Sequence, residues 1–280
     1  MSLKSLLYPL GLVILFATNC DLSPLENTEL YPASISIIEM EKLVEMNNEY
    51  HAQNRGKMCS TLNEYGLTGF SRVLFVDDIN PCLNREEVKI EVHYSEELLN
   101  LAKEALLQNQ RFTNVVDKEK LVLKETLPLN GCTICEGPNI NSVPLQWRFS
   151  FENQVNDGIE VFDTEISVYI DANGVNRIWG NWFPIHRPDF IEVGYVYAQE
   201  IFLGKSITYQ DSDGVLIQHK IIKNNFGKTP YLKYVAIKEE GKMSFHKCWI
   251  VELTIDSTEA VKWKGMVDVQ SGKILKIEAI

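Results

Sequence analysis

Several signatures of well-known chemistry are missing from this chain. None of its five histidines, His51, His93, His186, His219 and His246, lies in H-E-x-x-H, which excludes a zinc-protease helix. G-x-S-x-G, the phosphate-binding P-loop and G-x-G-x-x-G do not occur either. Positive charge is scarce: 27 Lys and Arg stand against 38 Asp and Glu, for a formal net charge of −11. Nucleic acid and anionic membrane surfaces require clustered cations, so neither is an expected partner. No metal and no cofactor is expected. The apolar run Leu6 to Phe16 falls short of the roughly 20 residues that a membrane-crossing helix needs.

That run instead reads as a leader. Lys4 supplies a weak positive start, and Ala17-Thr18-Asn19-Cys20 places small residues before a cysteine, as in a bacterial lipobox. Residues 1–19 are therefore expected to be a lipoprotein signal peptide, with Cys20 the lipid attachment site. The expected location is the bacterial cell envelope, on a membrane reached through that lipid. Residues 20–35 are polar and lack periodicity, and read as a tether. The remaining length suits two compact domains, 36–186 and 187–280, divided near the prolines of Pro184 to Asp189.

The clearest local signal is a hairpin. Ile166, Val168 and Ile170 alternate with Glu165, Ser167 and Tyr169, then Asn173-Gly174 leads into Val175 to Trp179. Asn-Gly between alternating runs predicts a type I′ turn with positive φ at both residues. Tyr169, Trp179, Trp182 and Phe183 cluster around it. Trp179 and Trp182 are three apart and cannot share a strand face without a bulge. One of them is a candidate for an exposed binding surface together with Tyr169, the alternative being core packing.

Ser36-Ile37-Ile38-Glu39 has the form of a capping box, which predicts a helix from Ile37 to about Gln53 with Ile37, Met40, Leu43, Val44 and Asn47 inward. Ser95 predicts a cap for a second helix, Glu96 to Gln110. A third spans about Val193 to Leu203 and ends at Gly204. Strands are predicted at Arg72 to Val76, Glu87 to Val92, Lys120 to Leu127 and Gln146 to Phe151, with a loop from Asn130 to Val143. In the last third, turns at Asp211 to Gly214, Glu239 to Gly241 and Gln270 to Gly272 predict hairpins. Trp249, Val251, Leu253 and Ile255 share one strand face, read as core. A weak repeat links Tyr169-Ile170-Asp171…Gly174 to Met266-Val267-Asp268…Gly272. In both copies Asp opens a turn, where its carboxylate can accept backbone N–H groups ahead of it.

Besides Cys20, five of the six cysteines remain to be placed. Cys132-Thr133-Ile134-Cys135 could be a redox dithiol or half of a zinc site. Its Gly- and Pro-rich surroundings, and the lack of a second C-x-x-C, favour a structural disulfide or loop clip. Cys59 and Cys82 could form a second bridge, leaving Cys248 as a small buried residue.

Gln154, Asp157-Gly158-Ile159, Val161, Val168, Asp171, Gly174 and Gly180 resemble the end of the propeptide domain of thermolysin-like and fungalysin-like proteases, with Asp157 where that pattern has Asn. Trp263, Gly265, Val267-Asp268, Ser271-Gly272 and Ile274-Leu275 resemble the PepSY domain that follows it. Everything before Asn130 lies outside the resemblance. It implies an α+β fold of two domains, each an antiparallel sheet with a helix on one face, and no protease accompanies it. The expected role is a non-enzymatic, lipid-anchored envelope module. Its partner would be an envelope protein or peptide segment, a peptidase among the candidates, which it would inhibit or chaperone in trans. The alternatives are an envelope thiol–disulfide oxidoreductase using Cys132 and Cys135, and a purely structural surface lipoprotein.

Overall fold

A computed structural model describes residues 30–69, 88–135, 141–188, 191, 193–210, 213–256 and 261–280. In chain order the elements are β1 (Ala33–Ser36), α1 (Met40–Gln53), β2 (Thr61–Leu62), β3 (Thr68–Gly69), α2 (Glu96–Gln108), α3 (Gln110–Thr113), β4 (Leu123–Cys132) and β5 (Ser142–Phe151). They continue with β6 (Val155–Asn156), β7 (Ile159–Glu160), β8 (Ile166–Asp171), β9 (Gly174–Trp179), α4 (Tyr195–Glu200), β10 (Ser206–Gln210) and β11 (Leu216–Lys220). The last four are β12 (Tyr231–Glu239), β13 (Lys242–Asp256), β14 (Val261–Asp268) and β15 (Ile274–Ala279). The chain is α+β, built on antiparallel sheets with helices against them. The leader with Cys20, the strand expected at Arg72 to Val76, and Cys82 lie outside the described residues.

The first sheet has the order β4-β5-β8-β9. Its inner face presents Phe149, Phe151, Ile166, Val168, Ile170 and Ile178, all fully buried. Leu43, Met46 and Tyr50 of α1, Ala102 and Leu106 of α2 and Phe112 of α3 pack onto them. The Ser95 hydroxyl accepts the Leu98 N–H at 3.4 Å, capping α2 behind an acidic first turn that favours the helix dipole.

The second sheet contains β1, β12, β13, β14 and β15. Long β13 pairs with β12 along one side, and with β1 and then β14 along the other. Val251, Leu253, Ile255 and Val267 face α4 and the β10–β11 hairpin, where Ala198, Phe202, Ile207 and Ile221 cover them. Gly265 is required under that helix, because a Cβ there would collide with the Phe202 ring. Cys248, Ile250 and Met266 are buried on the opposite face with Val235, against Phe162, Ile237 and Leu275. Apolar side chains are therefore buried on both faces of β13.

Several expectations are corrected. Ala33–Ser36 is not tether but a strand whose Ala33 and Ile35 are 1% exposed. Ser36 therefore belongs to that strand, and the capping box does not form. Helix α1 starts three residues later, with Glu39 at the N-cap and no side-chain cap bond. Its buried face is Leu43, Met46, Asn47 and Tyr50, while Met40 and Val44 are exposed. The described part of Glu87 to Val92 forms no strand. Strands β4 and β5 extend into the predicted 130–143 loop, so Cys132 is the last residue of a strand. Helix α4 is shorter than the predicted Val193 to Leu203. In the β8–β9 hairpin, Asp171 pairs with Gly174, which makes Ala172 and Asn173 the loop residues. Only Gly174 takes positive φ, at +103°, so the turn is not type I′.

Candidate binding groove and the polar lock beside it

At the end of β14 the chain turns back through residues 269–273, and Asp268 organises the turn. Its Oδ1 accepts the N–H groups of Gln270 at 3.1 Å and Ser271 at 2.6 Å. Its Oδ2 accepts from the Tyr31 hydroxyl at 2.6 Å and from His246 Nδ1 at 2.9 Å. The Tyr31 oxygen in turn accepts the Lys247 N–H at 2.9 Å. His246 Nε2 meets the Ser244 hydroxyl at 3.0 Å, since residues i and i+2 of β13 share a face. Burial would raise the Asp268 carboxyl, but hydrogen bonds from His246, Tyr31 and Ser271 outweigh it and hold the group well below the usual carboxylate range. Burial, then the Asp268 carboxylate, pushes the Tyr31 phenol far above its ordinary value. An ionised carboxylate can only accept, so His246 Nδ1 is the donor, and in the singly protonated ring Nε2 accepts from Ser244.

Hydroxyl, imidazole and carboxylate in series match the chain that activates a nucleophilic serine. Here Ser244 is 4% exposed, and none of the three residues lines the groove described next. What the series accomplishes is attachment: it ties Tyr31, two residues before β1, to β13 and β14.

A groove of about 500 Å³ opens on the same second sheet. Val235, Ile237, Met266 and Leu275 lie along it, and Phe162 and Phe183 wall it. Asp163, Lys238, Lys276 and Glu278 add charge of both signs. The walls are fixed from outside the sheet. The Phe162 N–H donates to Tyr234 O at 2.9 Å, which lays that segment against the outer edge of β12. The Lys264 ammonium stands 5.1 Å from the Phe162 ring centre. Gln154 clasps the Phe183 backbone through both amide atoms, at 2.8 and 2.9 Å. At the far end, no strand among the described residues pairs with the outer edge of β15.

The aromatic site candidates divide between core and surface. Trp182 is 4% exposed and sits in the first core, whereas Trp179 is 47% exposed. The Tyr169 ring lies under Arg177, 5.0 Å from its guanidinium carbon. Ser167 pairs with Trp179 and Tyr169 with Arg177, so Tyr169 and Trp179 share the outward face of the β8–β9 hairpin while Trp182 lies in the core. Cys132 and Cys135 are joined to each other, and Cys59 is also disulfide-bonded. Cys248 is free and buried, its thiol pushed up by burial first and then by the Asp268 charge. Among the described residues no group of three or more His, Cys, Asp or Glu could hold a metal ion, and no helix is long and apolar enough to cross a membrane. The Tyr31–His246–Asp268 lock and the groove were not anticipated. The i, i+2 spacing of Ser244 and His246 was readable, but its register with Asp268 was not.

The structure is similar to the Bacillus megaterium YpeB C-terminal domain, at 13% identity and a TM-score of 0.27, over 70% of this chain and 69% of that one. A TM-score that low leaves the α+β assignment resting on the elements above. No protein-family model and no curated relative matches the sequence.

Proposed function

We propose that this protein is a binding module of the bacterial cell envelope, without peptidase activity, held to a membrane by a lipid on Cys20. It receives an extended, apolar segment of an envelope protein in the groove between Phe162, Phe183 and β15. The observation that carries this reading is the groove itself: a floor of apolar side chains between Phe162 and Phe183, with charges of both signs at the rim, suits an extended, largely apolar segment. The outer edge of β15 offers backbone N–H and C=O groups to such a segment. The propeptide resemblance adds a class of partner, a peptidase that the module would restrain or help to fold in trans. Its residues serve the groove's construction, since Gln154 holds Phe183 and Leu275 lines the groove.

The test uses the full chain in detergent and fluorescent peptides of extended, alternating apolar sequence. Ile237→Asp and Leu275→Asp, both in the groove, should weaken binding by about tenfold or more. Leu216→Asp, on a residue 70% exposed in β11, should leave it unchanged. Binding that survives both groove variants would remove the assignment.

A further inference from the structure

The disulfide at the end of the β4–β5 hairpin stands where the fold has little need of it. The ladder already holds both strands from Leu123↔Phe151 to Cys132↔Ser142. The bond joins Cys132 to Cys135 just beyond that last rung, across a Cα–Cα distance of 5.4 Å. It encloses only Thr133 and Ile134, so the chain entropy it removes from the unfolded state is small. Cys135 is exposed, neighbouring Ile134 is 69% exposed, and Cys132 is half-buried. A cation completes the arrangement: Lys89 Nζ lies 4.0 Å from Cys135 Sγ. Lys89 belongs to a segment docked on β5, where Val92 N–H donates to Pro144 O at 2.8 Å and Trp147 Nε1 donates to Val92 O at 2.7 Å. Exposed disulfides are the exchangeable ones, and an ammonium beside a sulfur favours its thiolate.

We propose that Cys132–Cys135 is a thiol–disulfide exchange site, with Cys135 meeting the partner and Cys132 resolving. The co-reactant is a dithiol. Its thiolate attacks Cys135 Sγ, the bond to Cys132 breaks, and Cys132 leaves as a thiolate that takes a proton from water. The partner's second thiol then attacks its own sulfur in the mixed disulfide. That step releases the Cys135 thiolate beside Lys89. The protein disulfide has become a dithiol and the partner dithiol a disulfide. In reverse, the Cys135 thiolate attacks a partner disulfide, and Cys132 closes the bond again. Lys89 acts as a positioning charge in both directions.

The experiment uses the full chain in glutathione buffers of graded potential, with thiols read by mass tagging and peptide mapping. Residues 132 and 135 should convert reversibly between disulfide and dithiol while the melting curve stays in place. Cys132→Ser should form a stable glutathione adduct at Cys135 about tenfold faster than Cys135→Ser forms one at Cys132. Lys89→Gln should slow the first reaction several-fold and move its pH profile upward. The proposal fails if the bond stays oxidised in reducing glutathione, if reduction shifts the melt, if the two serine variants react alike, or if Lys89→Gln changes neither rate nor profile.

Discussion

The Asp171 carboxylate accepts two hydrogen bonds within its own hairpin. Oδ1 accepts the Asn173 N–H at 2.8 Å and Oδ2 accepts the Asn176 side chain at 2.7 Å. Asp268 opens a turn of the same kind but directs its second oxygen elsewhere, to His246 on β13 and to Tyr31, 237 residues earlier. The sheets around the two turns differ in parallel. The first is covered by α1 to α3, which form one continuous core with it. The second buries its residues in three separate clusters. One lies under α4, one around β1, and one faces Phe162 and Leu275. The second sheet is covered in part by segments borrowed from elsewhere in the chain, and the groove is the space between them; Asp268 fastens the strand beside it.

The comparison predicts its own test. Asp268→Ala should destabilise the protein by about 2 kcal/mol or more, because it removes the shared acceptor of part-buried donors on Tyr31, His246 and two backbone amides. Asp171→Ala should remove about 1 kcal/mol. Urea unfolding of both variants decides the matter, and equal losses would break the contrast. The Asp268 carboxyl lies low in the folded state. Its contribution is therefore full above the ordinary carboxylate pKa of about 4 and is lost as pH falls through the folded value. Asp268→Asn should remove part of that acid-side loss in melts recorded from pH 6 downward.

Tyr31→Phe keeps the ring but loses the hydroxyl, and should lower stability by about 1 to 2 kcal/mol. Because the phenol is raised, the wild type should also weaken as pH climbs above about 10, and the Phe variant should be flatter there. The smallest effect is expected at Gly174. A Cβ there meets nothing within 4 Å, so Gly174→Val acts through φ alone. It should shift the urea midpoint by about 1 kcal/mol equivalent, and no shift would contradict the observed turn.

What could be read in advance was local. The β8–β9 strands, the Ser95 cap of α2 and the hairpin positions of the last sheet depend on neighbours a few residues apart. The Asp repeat was likewise visible at both turns. Strand β1 was missed because Ala33 to Ser36 lacks a partner nearby, and its pairing with residues 242–245 is set by the tertiary fold. The same reason hid Tyr31 and the groove. Each wall comes from a different part of the chain, and no spacing brings Phe162, Phe183 and Leu275 together. The aromatic cluster divides as the three-residue spacing of its tryptophans requires: Trp182 follows Gly180, and the bend there sends it inward while Trp179 stays outward.

Amide hydrogen exchange of the full chain, with and without a bound extended apolar peptide, tests the groove most directly. The account predicts added protection confined to β12, β15 and the segment around Phe162, with β4, β5 and the Trp179 region unchanged. Protection centred on β8 and β9 instead, or spread evenly over both sheets, would contradict it.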